Sequence, residues 1–162
     1  MATLRRALVA TDYGTSSERA VEMAAAEAGT SHALEEHGGE VRLRLRAPSL
    51  PALFDEAARA VAELMCDGGG SLGEPVPVDV RAPDREALLA AWIDELLFLS
   101  ETRKRVWTQT RVERVTDTEL HAVVRGIEPV ALRTQIKAAT LHDLRVLERR
   151  PGEFEATLVL DV

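Results

Sequence analysis

The sequence predicts an α+β protein: a mainly antiparallel sheet of about six strands covered by two helices, with an N-terminal extension. Three observations carry this. Val41-Arg42-Leu43-Arg44-Leu45-Arg46-Ala47 alternates apolar and basic residues without a break, the period of a half-buried strand. Two stretches repeat apolar residues at helical spacing: Leu50, Leu53, Phe54, Ala57, Val61, Leu64 and Met65, then Leu88, Leu89, Trp92, Ile93, Leu96, Leu97 and Leu99. The remainder reads as two hairpins, one turning at Thr116-Asp117 and the other across Arg149-Arg150-Pro151-Gly152. Strand, helix, strand, helix and then paired strands is the order of an α+β domain.

Composition bounds the function classes. With 162 residues and 46% hydrophobic content the chain can bury a real core. The formal net charge of −7 and a pI near 5.2 argue against a broad nucleic-acid or membrane-surface binder, which needs a basic field. A single cysteine, Cys66, forms no internal disulfide and fits a reducing compartment. The apolar runs fall well short of the roughly 20 residues that cross a bilayer. Arg5-Arg6 is followed only by the short run Ala7 to Ala10, too short for a signal-peptide core. A cytoplasmic protein without membrane contact is expected.

Residues 1–31 are read as an extension and residues 32–162 as the domain. Leu4 to Thr11 has strand character, Asp12 to Ser16 has turn chemistry, and Ser17 can cap a helix over Glu18 to Ala28 that stops at Gly29. The segment Ala7 to Val21 is similar to the opening strand-loop-helix of universal stress proteins, a family that binds ATP. The later glycine-rich loop of that family has no counterpart in this sequence. The extension is therefore expected to be a loosely attached strand-helix unit or partly disordered.

Within the domain, His32 to Glu40 is polar and contains Gly38-Gly39. Ser49 suits the cap of the first helix, and Asp67-Gly68-Gly69-Gly70 ends it. Val76 to Val80 reads as a short strand, and Pro75 and Pro77 place it at an edge. Pro83 suits the first turn of the second helix, where spacing puts Trp92 and Phe98 in the core. Residues 127–134 are irregular between the two hairpins.

The candidate chemistry gathers at strand ends. Glu40 begins the alternating strand and Asp161 ends the last one. If those strands are neighbours, the two carboxylates and His37 could share one ion. Carboxylates favour Mg, Mn or Ca, and an imidazole shifts the preference toward Mn or Zn. The bland alternatives are a solvated turn histidine and an exposed terminal charge. The Arg42, Arg44 and Arg46 row either contacts phosphate or pairs with acidic neighbours. Lys137, in a fairly apolar strand, either holds a carboxylate or nucleotide phosphate or simply points outward. There is no Gly-x-Ser-x-Gly elbow and no Gly-x-x-x-x-Gly-Lys phosphate loop.

Five segments, in order, resemble the archease family: Glu36-His37-Gly38-Gly39-Glu40, Leu50 to Ala58, Ile93 to Leu99, Arg133 to His142, and Asp161-Val162. The resemblance implies an accessory protein rather than an enzyme. Archeases promote guanylylation and repeated turnover of the tRNA-splicing RNA ligase that joins a 2′,3′-cyclic phosphate or 3′-phosphate end to a 5′-hydroxyl. It further implies a divalent metal on Glu40 and Asp161, with His37 and Lys137 lining the site. GTP and RNA would be met only through the ligase. Relative to the family motif, Glu stands for Asp at both ends of residues 36–40, Gly-Gly replaces Thr-Ala, and Gln135 replaces an acidic residue. These departures motivate a second reading, a diverged interaction module without metal or ligase work. An adenine-nucleotide binder using residues 7–28 is a third.

Overall fold

The computed structural model describes the backbone of residues 6–11, 21–23 and 29–162, and side chains from residue 29 onward. Among the described residues nine strands and two helices are formed. The strands are β1 (Arg6–Thr11), β2 (Val21–Met23), β3 (Ser31–His37), β4 (Glu40–Ala47), β5 (Val76–Arg81), β6 (Val106–Val115), β7 (Glu119–Ile127), β8 (Ala138–Arg150) and β9 (Glu153–Asp161). The helices are α1 (Leu50–Met65) and α2 (Arg85–Arg103). One sheet runs β2-β1-β3-β4-β9-β8 and the other β5-β7-β6. Every pairing is antiparallel except that of β1 with β3.

The α+β class, the two helices and the edge position of β5 are as the sequence predicts. Two sheets replace the expected single one. Helix α1 packs on β4 and β3 on one side and on β6 on the other, while α2 packs on β8, β5 and α1. The helices thus lie between two sheets and share one continuous core. This explains why the amphipathic stripe of α1 underestimates its burial. Asp55 and Glu56 sit off the stripe, yet both work inward. Asp55 Oδ1 accepts the Val112 N–H at 2.9 Å and the Thr110 hydroxyl at 3.2 Å, joining α1 to β6. Glu56 is 1% exposed and faces β3.

The helices begin as their caps dictate. Ser49 Oγ accepts the Ala52 N–H at 3.2 Å, and Asp84 Oδ1 accepts the Ala87 N–H at 2.7 Å. Pro83 therefore precedes the cap of α2 rather than occupying its first turn. The indole N–H of Trp92 donates to the Phe54 carbonyl at 2.9 Å, locking the two helices together through fully buried rings. Carboxylates of α2 also reach the free edge of the large sheet. Asp94 accepts the Ala139 N–H at 2.8 Å and Glu86 the Val146 N–H at 3.3 Å, on either side of the register shift between Thr140 and Arg145.

Three expectations are corrected. The strand predicted over residues 4–11 is β1, but the helix predicted over 18–28 is not formed at Val21–Met23. Those residues pair with β1 as β2, an instance of tertiary pairing overriding helix propensity. The rest of that predicted helix lies outside the described residues. Phe98, assigned to the core by spacing, is 58% exposed, because its side of α2 faces a cleft rather than a sheet. The polar stretch from His32 is strand β3. Its period is masked because His32 takes a buried, core-facing position opposite Leu45, while Glu36, opposite Val41, is exposed, which leaves Leu34 as the buried aliphatic of that face.

His32 is 2% exposed. Its Nδ1 lies 2.6 Å from Glu56 Oε1 and its Nε2 lies 3.0 Å from Glu63 Oε2. Both nitrogens can donate only in the imidazolium form. Arg59 steadies the second oxygen of Glu56 at 3.3 Å. Burial alone would lower the pKa of His32, but the hydrogen bonds and charges of Glu56 and Glu63 outweigh it and raise the value from 6.5 to about 9. A raised folded-state pKa stabilises the fold below the unfolded value, and that gain is lost as pH climbs through the folded one. The expected result is a stability contribution of about 3 kcal/mol that declines between pH 6.5 and 9. Urea midpoints across that window test it. His32→Leu should flatten the slope while lowering stability at pH 6.5, since it strands the buried carboxylate of Glu56.

Candidate functional site

The predicted site residues come together at one end of the large sheet. Gly38 (φ 54°) and Gly39 (φ 92°) form the two-residue turn between β3 and β4. Positive φ at both central positions is the backbone of a type I′ hairpin, whose twist matches that of the strands. The turn sets His37 opposite Glu40. The β4–β9 register sets Glu40 opposite Asp161, and the β8–β9 register sets Asp161 opposite Ala138. His37, Glu40 and Asp161 thus form one cross-strand row on three adjacent strands. Directly opposed residues share a face with Cβ atoms about 4.5–5.5 Å apart. Val41, Leu43 and Leu45 turn to the core, so the row lies on the face away from the helices.

Two backbone bonds fasten this end. Lys137 N–H donates to the Asp161 carbonyl at 2.7 Å, and Val162 N–H donates to the Gly39 carbonyl at 3.0 Å. Lys137 is thereby held one residue from the row. His37, Glu40 and Lys137 are exposed and Asp161 is half-buried. Adjacency comes from the register alone. Among the described residues no three His, Cys, Asp or Glu side chains are gathered as a metal cluster. Two neighbouring carboxylates on one face are the donor type that hard divalent cations take, and His37 adds a nitrogen beside them.

The arginine row of β4 meets acidic neighbours. Arg42 lies 4.0 Å from Asp143, Arg44 3.3 Å from Glu35 and Arg46 3.1 Å from Glu155. These pairs sit at or near the surface, so each adds little to stability, but they answer the row's charge from within the sheet. Asp94 is used by the backbone of β8 rather than by the row.

One feature is not legible from sequence spacing. A cleft of about 660 Å³ opens between the C-terminal half of α2 and residues 128–137, and Lys137 lines it. The irregular segment after β7 gave no periodicity from which to place its side chains. The exposure of Phe98 depends on where that segment runs.

The fold and the sequence together define a known class. The model of the archease protein family matches residues 32–162, and the chain belongs to that family. Protein archease of Methanosarcina acetivorans is 31% identical over 143 residues, a match spanning 83% of this chain and 97% of the relative. The solution structure of Methanobacterium thermoautotrophicum protein 1598 aligns with a TM-score of 0.61 at 25% identity, covering 80% of this chain and 96% of that one. A Thermotoga maritima crystal structure, described as an archease and possible chaperone, shares the fold with a TM-score of 0.58 at 22% identity, covering 78% and 94%. Among the described residues no helix is long and apolar enough to cross a membrane.

The turn that builds the row is open to test. Gly39→Ala should destabilise the protein by about 1–2 kcal/mol, because a Cβ at φ 92° is strained although nothing lies within 4 Å of it. Chemical denaturation measures this, and an unchanged midpoint would show that the hairpin is not held in this conformation.

Proposed function

We propose that this protein is an accessory activator of the tRNA-splicing RNA ligase, working by protein contact and by a divalent metal held on carboxylates. Family membership supports the accessory role. The observation that carries the site is the β4–β9 register, which sets Glu40 opposite Asp161 with Lys137 one residue away. In this reading Glu40 and Asp161 hold the cation, with His37 as the neighbouring nitrogen donor. Mg, Mn or Ca suits the oxygen donors. Bound there, the cation would supply positive charge to phosphate oxygens of a nucleotide-loaded partner site. Lys137 contributes a flexible point charge able to meet a carboxylate or phosphate on the partner. The row lies at an accessible end of the sheet, so it can enter a partner's cleft. GTP and RNA belong to the ligase and are met only there. The protein itself catalyses no reaction and acts in the cytoplasm.

A specific observation favours a second reading, a diverged interaction module without metal. Gly38-Gly39 removes two side chains from the turn, and the row's side chains are not gathered into a three-donor cluster.

Thermal unfolding separates the two. On the leading reading millimolar Mg, Mn or Ca raises the melting temperature relative to EDTA, as selective binding to the folded state must. Asp161→Ala abolishes the rise. In a guanylylation assay with purified ligase, Glu40→Ala and Asp161→Ala lose most of the stimulation while remaining folded. Full stimulation by both variants would sink the activator mechanism. Absence of any metal-induced rise would favour the metal-free module.

A further inference from the structure

A free strand edge presents unpaired backbone groups to any chain that can add a strand. Among the described residues the two sheets end on β2, β8, β5 and β6. Each of these ends is blunted. Strand β2 has only three residues. On β8 the side chains of Asp94 and Glu86 take the N–H groups of Ala139 and Val146. On β6 Asp55 takes that of Val112, and β5 carries Pro77.

Strand β3 is protected differently. The family model begins at residue 32, so within the matched residues the large sheet would end on β3. Its seven residues, Ser31–His37, contain no proline. The carboxylates that α1 sends toward it, Glu56 and Glu63, meet the His32 side chain rather than the backbone. What lies along its edge is β1, from the N-terminal extension. That pairing is parallel, and its register covers three residues, Val9 to Thr11 against Leu34 to Glu36. Parallel pairs are slightly less stable per residue than antiparallel ones. A strand that can pair over its whole length is thus covered by a shorter and weaker partner.

The sequence of β3 suits a second copy of itself. Antiparallel pairing about a two-fold axis at Leu34 sets Leu34 against Leu34, so the buried aliphatic of the core face meets its own kind. The same register sets Ala33 against Glu35, His32 against Glu36 and Ser31 against His37. No like charges stand opposite one another. The imidazolium of His32 and the carboxylate of Glu36 attract, and the two-fold axis makes that pair twice. An axis at Glu35 would instead oppose two carboxylates, so charge selects the Leu34 register.

We propose that β1 is an edge guard: it occupies the strand-accepting edge of β3, and with β1 displaced this edge pairs antiparallel with the β3 edge of a second copy of this chain. The guard keeps the protein monomeric. In the joined pair His37 of each copy stands opposite Ser31 of the other, so the two carboxylate rows lie at opposite ends of the shared strands and stay open. The inference does not depend on the activator reading.

The test reads oligomeric state by sedimentation equilibrium and folding by circular dichroism, on the full chain. Successive N–H groups of a strand point to opposite sides, so Val9→Pro with Ala10→Pro removes the donor on the β3 side whichever residue carries it. A second variant replaces residues 6–11 by glycine, which is depleted from strands. The parent should sediment as a monomer of 17.7 kDa, and both variants should show twice that mass. Glu36→Lys added to either variant should weaken the dimer about tenfold or more, since two attractive pairs become repulsive. In the parent the same substitution should leave the mass unchanged. A parent that is already dimeric overturns the guard. Folded variants that stay monomeric overturn the edge pairing, as does a dimer indifferent to Glu36→Lys or open-ended aggregation in place of a dimer. Loss of folding in both variants shows that β1 is required by the domain itself, and overturns the proposal as well.

Discussion

The antiparallel pairing of β4 with β9 is the constraint on which the site depends. Side chains along a strand alternate faces, so a shift of one residue would turn Leu43 and Leu45 to solvent and bury Arg42 and Arg44. The hydrophobic demand of the helix layer therefore fixes the register, and the register in turn sets Glu40 opposite Asp161. The position of the carboxylates is a by-product of core packing eight residues deep along the same pair of strands. The C-terminal strand is thus part of the scaffold as well as the carrier of a site residue.

The second constraint is the His32 bridge. Strand β3 carries the turn that presents His37 and Glu40, yet it brings His32 to a core position, opposite Leu45, where a strand would ordinarily place an aliphatic. The cost of burying His32 is offset because α1 supplies a carboxylate to each ring nitrogen. The arrangement is specific in both directions: Glu56, at 1% exposure, needs His32 and Arg59 as much as they need it. Helix α1 can serve β3 with Glu56 and β6 with Asp55 because it lies between two sheets.

This is also where sequence reading succeeds and fails. Strand β4 and the helices are legible because their apolar residues keep an unbroken period and because Ser49 and Asp84 supply recognisable cap chemistry. Strand β3 is illegible because His32 interrupts its inward face, and a polar residue satisfied by a distant helix looks the same in sequence as one satisfied by water. Phe98 fails the other way. It has core spacing, but the segment that would have to cover it runs to the side and leaves it at the cleft. The residues 21–23 pair as a strand although their surroundings read as helix. The adjacency of Glu40 and Asp161 was suggested by their places at strand ends. Only the pairing of the strands brings them together, since nothing local relates residues so far apart.

That separation bears on how the molecule is made. Glu40 and Asp161 are neighbours across a strand pair but more than a hundred residues apart along the chain. Contacts of such long range form late, because the entropy of closing the loop must be met before they return anything. During synthesis the ribosome releases β4 and α1 well before β9 emerges, leaving Leu43 and Leu45 with an open strand edge beside them. Charged side chains along an open strand oppose edge-to-edge association, and Arg42, Arg44 and Arg46 place such charge on the outward face of the strand that β9 joins last.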